Sequence, residues 1–163
     1  MLTKPEFLAA LKRETKILSH LAAQLKPRHL AFRFTPPQRS TLELLQYLTI
    51  NAQAGVGYYL TGSWDHWDDL AAAAKGVNLK NFPAALKVQV KSVQRMLATV
   101  SDQEWSSRTV RPMSGKGPSM TLDVALFEST LTTCIGYRMQ LFLQAKAAGL
   151  SKLGSSDLWA GKH

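Results

Sequence analysis

Leu86, Val90, Val93, Leu97 and Val100 step by 4, 3, 4 and 3 residues. That spacing puts all five on one side of an α-helix and on no single face of a strand. The opposite side carries Lys87, Lys91 and Arg95, so this helix has one face for a core and one for water. Pro83 suits its first turn. Any fold for this chain must supply other apolar surfaces to cover that stripe.

Three further segments supply them. From residue 3 to 25, Leu8, Leu11, Leu18, Ala22 and Leu25 make a helical stripe, with Thr15 filling the vacant place. Thr3 and Glu6 have capping-box spacing, Pro5 fits the first turn, and Pro27 ends the element. Ser40 and Glu43 give a second capping box, opening a helix to about Thr61. Its apolar side holds Leu44, Leu48, Ala52, Val56 and Tyr59, and Gly62 is its stop. A last helix runs from about Thr121 to Ala148 and ends at Gly149.

The connections are long. The stretch from Lys26 to Arg39 holds three prolines and reads as an ordered loop, with Phe32 and Phe34 tucked against the bundle. A helical turn is expected near Leu70–Ala74, and a short capped turn at Ser101, Glu104 and Trp105. RPMSGKGPS reads as a flexible loop. The pattern predicts an all-α four-helix bundle with core residues Leu11, Leu18, Leu48, Val90, Val93, Leu97, Leu126 and Leu141. With 163 residues and no second composition regime, we expect a single domain over 1–150 and an irregular appendage over 151–163.

Composition narrows the function. Hydrophobic residues make up 45%, too many for a disordered chain. Charged residues make up only 19%, which fits burial by folding or by self-association. Charges interrupt the N-terminal segment at Lys12, Arg13 and Glu14, so it does not read as a signal peptide. No apolar run is long enough for a membrane span, and a cytoplasmic protein with no membrane partner is expected. Cys134 stands alone, which excludes an internal disulfide. Nucleotide-binding glycine loops, HExxH and the GxSxG elbow are all absent. His20, His29, His66 and His163 are far apart in sequence, so a zinc site would need long-range convergence.

One stretch carries a resemblance. Thr133-Cys134-Ile135-Gly136-Tyr137-Arg138-Met139-Gln140-Leu141 resembles the last-helix motif of the DinB/YfiT-like family, roughly His-x-x-x-His-Arg-x-Gln-Leu. Arg138, Gln140 and Leu141 match it, and a long helix ending at Gly149 follows. The phrase from Arg39 to Leu48, after Pro36 and Pro37, is similar to the family's serine-capped second helix. The order of elements agrees from residue 3 to about 150. The resemblance implies an up-down-down-up four-helix bundle. It also implies a divalent metal held by three histidines, one on helix two and two on helix four, and in some members thiol-dependent transfer.

At those three positions this chain has Tyr47, Thr133 and Tyr137. Neutral hydroxyls are poor ligands for nickel or zinc. The expectation is therefore no metal and no cofactor, with a polar ligand pocket lined by Tyr47, Asn51, Thr133 and Tyr137. No catalytic residue is assigned. Each residue also has a plainer reading. The tyrosines serve as core aromatics, and Arg138 and Gln140 as helix-packing residues. Cys134 reads as an inert buried thiol, and His66 as part of a loop seating Trp64 and Trp67.

The leading functional expectation is a DinB-like protein that binds a small molecule or associates, without metal catalysis. The alternatives are a metal- or thiol-dependent transferase or hydrolase-like enzyme using non-standard residues, and a weak nucleic-acid binder. Net charge +9 motivates the last. That charge is spread over every helix, with no nucleic-acid motif, so nucleic acid is not the expected partner. A homodimer is expected from the low charge content and the family's tendency.

Overall fold

The computed structural model describes residues 2–163. The helices are α1 (Lys4–Ala23), α2 (Thr41–Leu48), α3 (Asn51–Thr61), α4 (Trp67–Ala74), α5 (Phe82–Ala98), α6 (Asp102–Ser107), α7 (Leu122–Leu126), α8 (Thr132–Ala147) and α9 (Ser155–Ala160). One π-helical turn, Phe127–Leu131, joins α7 to α8. Strands β1 (Thr109–Val110) and β2 (Met120–Thr121) pair antiparallel and close the glycine-rich loop between them. The fold is an all-α bundle. α1 packs against α5 and α8, while α2 and α3 pack against the same two from the other side.

The expected start signals are present. Glu6, Glu43 and Glu104 each accept a backbone N–H from Thr3, Ser40 and Ser101, and each donates its own N–H to that residue's hydroxyl. Gly62 ends α3 with a φ of 76°. All eight predicted core residues are buried, as is the whole stripe from Leu86 to Val100.

Four expectations are corrected. The predicted helix over 40–61 is two helices, broken at Thr49–Ile50. Gln89 on α5 holds the break, donating from Nε2 to the Leu48 carbonyl at 2.9 Å and accepting the Ala52 N–H at 2.9 Å. The vacant place in the α1 stripe is filled by Glu14, which is buried, and Phe7 replaces Leu8. Phe34 is not tucked in but 48% exposed, stacked edge-on against Phe32. The tail is not an irregular appendage. Leu153 and Leu158 are buried in the core and α9 packs on α1.

The apolar interior forms two clusters, one around Leu18, Leu48, Leu86 and Leu141, the other around Leu11, Val56, Val93 and Leu126. Between them each long helical arm contributes one buried polar residue: Glu14, Asn51, Gln89 and Arg138. Each lies on its arm between residues of the two clusters. Buried polar groups need partners, and this layer supplies several of its own.

Candidate functional site

Arg138 on α8 reaches Glu14 on α1. Its Nη1 donates to Oε1 at 2.8 Å and to Oε2 at 2.7 Å, with both side chains buried. Burial pushes the Glu14 carboxyl above its ordinary value, against the pull of Arg138. Trp159 of α9 lies over the Arg138 guanidinium at 4.8 Å. Arg138 is thus an interior ion-pair partner, a stronger role than the packing its motif position suggested. Beside it, Asn51 Nδ2 lies 3.5 Å from Cys134 Sγ. Burial pushes the Cys134 thiol up to about 12, so it is un-ionised and unsuited to nucleophilic work near neutral pH.

At the surface end of this layer, α2 and α8 bring Tyr47 and Tyr137 together. Their ring centroids are 5.0 Å apart, edge to face. Arg39 caps the pair. Its guanidinium sits 4.0 Å from the Tyr47 ring centre and 5.6 Å from that of Tyr137, and Nη1 donates to the Tyr137 hydroxyl at 3.3 Å. Tyr47, Thr133, Gly136, Tyr137 and Gln140 line an open cleft of about 430 Å³. Burial, then the adjoining Tyr137, push the Tyr47 phenol up, so it stays protonated.

Asn51, expected in this pocket, turns inward to Cys134. The helix break explains it: Tyr47 and Asn51 belong to different helices, so their spacing of four does not place them on one face. Arg39 was missed as a site residue, since an arginine in a proline-rich loop has no periodicity to locate it. Gln140 lines the cleft, as does Thr133, whose hydroxyl bonds the Ser129 carbonyl.

Trp67 approaches Tyr47 at 6.4 Å, and Trp64 lies 5.9 Å from Trp67 and 4.7 Å from Tyr58. His66 seats this group. Its Nε2 is 3.2 Å from the Ala54 carbonyl, and its ring fills the space a Cβ on Gly57 would take, 2.5 Å away. The loop reading of His66 therefore describes its contacts.

The metal implied by the resemblance does not fit this donor set. A protonated phenol and a threonine hydroxyl already donating to a carbonyl do not replace imidazoles. His66 is engaged on α3.

No protein-family model and no curated protein matches the sequence. Among solved structures, a DinB-like protein from Bacillus subtilis, YjoA, is similar over 91% of this chain and 96% of its own, with a TM-score of 0.65 and 12% identity. The chain therefore has a DinB-like fold. Among the described residues, no helix is long and apolar enough to cross a membrane.

Proposed function

We propose that this DinB-fold protein binds a small anionic molecule at the Arg39–Tyr47–Tyr137 cleft, the position where the resemblance puts a metal. The reading rests chiefly on Arg39. Its guanidinium carbon lies 4.0 Å from the Tyr47 ring centre, yet among the described residues no carboxylate lies within 4.0 Å of it. An arginine oriented by aromatic stacking presents its remaining N–H donors to a carboxylate or phosphate. The Tyr47 and Tyr137 rings offer an apolar wall for the rest of such a molecule, and Gln140 a polar edge. The role is binding, without metal catalysis, in the cytoplasm.

Benzoate and phenyl phosphate are suitable probes, followed by intrinsic tryptophan fluorescence, to which Trp67 beside Tyr47 contributes. Arg39→Ala should weaken binding about tenfold or more, since a hydrogen bond to a charged group contributes about 1.5–3 kcal/mol. Arg39→Lys should recover only part of it, having lost the planar fork. Arg39 is exposed, so the fold survives both changes. No binding of either probe, or equal binding by Arg39→Ala, rejects the anionic reading.

We also propose that the protein is a homodimer. Ile135 and Leu143 stand exposed on one face of α8, with the half-buried Met139 between them. An apolar row at steps of four suits isologous helix pairing. Sedimentation should give twice the chain mass, and Leu143→Glu should return it to the monomer. A wild-type species at the mass of one chain at high concentration would reject this.

A further inference from the structure

The tertiary fold makes a convergence that the sequence conceals. His20 in the last turn of α1, Asp157 in α9 and His163 beyond it meet away from the Tyr47 cleft. Asp157 Oδ1 lies 2.7 Å from His20 Nε2 and 2.9 Å from His163 Nδ1. All three atoms fall within 4.8 Å of one another. The other carboxylate oxygen is fixed by the Gly154 N–H at 2.8 Å. Gly161 makes the approach possible. Its φ is 61°, and a Cβ there would stand 3.1 Å from the Ile17 Cα, so only glycine lets the chain fold back across α1.

We propose that His20, Asp157 and His163 form a binding site for a divalent transition metal, zinc foremost. Two imidazoles and one carboxylate are an established open donor set for zinc, leaving room for water. The second oxygen of Asp157, bonded to backbone, is the outer support that orients metal ligands. In a tetrahedron of metal bonds of about 2.0–2.1 Å, ligand atoms stand about 3.3 Å apart. The two carboxylate–imidazole spacings of 2.7 and 2.9 Å need a small opening, and His163 supplies it, because its side chain is 69% exposed while those of His20 and Asp157 are 15% and 6%. A neighbouring cleft of about 400 Å³, bordered by Gln24, Gly149 and His163, gives the ion a way in.

The metal would tie α9 to α1. Trp159 lies between Asp157 and His163 in sequence and covers Arg138. A metal that fixes α9 therefore holds the lid over the buried Glu14–Arg138 pair. The site is independent of the Tyr47 cleft and stands or falls apart from it.

The test uses the protein purified without a metal-affinity tag, stripped with chelator and titrated with zinc chloride by calorimetry. One equivalent should bind, and thermal unfolding should shift upward. Cobalt(II) should give visible absorption of a low-coordinate nitrogen–oxygen site. His163→Ala should weaken zinc at least about tenfold, with the unfolding temperature of the stripped protein little changed, because His163 is exposed. Tyr47→Phe should bind zinc as the wild type does. No saturable binding with zinc in excess would overturn the proposal. So would binding that His163→Ala and His20→Ala leave unaltered, which would place the zinc elsewhere.

Discussion

Arg138→Met is expected to destabilise the protein by about 3–5 kcal/mol, the cost of leaving a buried carboxylate without its partner. For a domain of this size that lowers the unfolding temperature by about 6–20 °C. Glu14→Leu should cost a comparable amount by stranding the guanidinium. The combined Glu14→Leu, Arg138→Met protein should recover most of the loss. The reason is the direction of the Glu14 shift. Its carboxyl is raised in the folded state, with burial the first cause, so burial outweighs the attraction of Arg138. A group with a raised folded pKa contributes stability below its unfolded pKa and loses that contribution as pH rises through the folded one. At neutral pH the ionised pair is therefore no net source of stability, and apolar substitutes of similar volume should serve. Urea unfolding of the four proteins measures this. A double variant as unstable as the sum of the singles would refute it.

Gln89→Leu should destabilise by about 3 kcal/mol or more, although it exchanges one side chain for another of nearly equal volume. Gln89 is buried and spans the break between α2 and α3. It donates to Leu48 and accepts from Ala52 and, at 3.4 Å, from Gln53. Its removal leaves a buried backbone carbonyl and at least one N–H without partners, at about 1–3 kcal/mol each. Gln89→Glu keeps the acceptor and sets a carboxylate oxygen against the Leu48 carbonyl, so it should cost at least as much near neutral pH. The break also sets the direction of α2, so the Tyr47–Tyr137 contact should loosen in Gln89→Leu. Unfolding midpoints report the first effect, and the exposure of Tyr47 and Tyr137 to solvent, read by near-ultraviolet difference spectra, reports the second. Wild-type stability in Gln89→Leu would show that α2 and α3 close their own break.

The sequence by itself determined the fold class and the starts of α1, α2, α5 and α6. Periodicity is a local property, so the stripe from Leu86 to Val100 was readable, and so were the capping boxes at Thr3, Ser40 and Ser101, whose partners stand three residues apart. The resemblance pointed to Tyr47, Thr133 and Tyr137, and the fold brings those three to one cleft. What escaped was set by contacts between distant residues. Glu14 broke the apolar pattern of α1 because its partner, Arg138, lies on the last helix. The division of one expected helix into α2 and α3 depended on Gln89, a residue of another helix. Asn51 left the predicted pocket for the same reason, since that break rotated it away from Tyr47. Arg39 reached Tyr47 and Tyr137 from a loop, where no period constrains the side chain. His20 and His163 met only because α9 packs back across α1. A buried polar side chain is placed by the partner that satisfies it. When that partner is far along the chain, only the tertiary structure decides where the polar residue belongs.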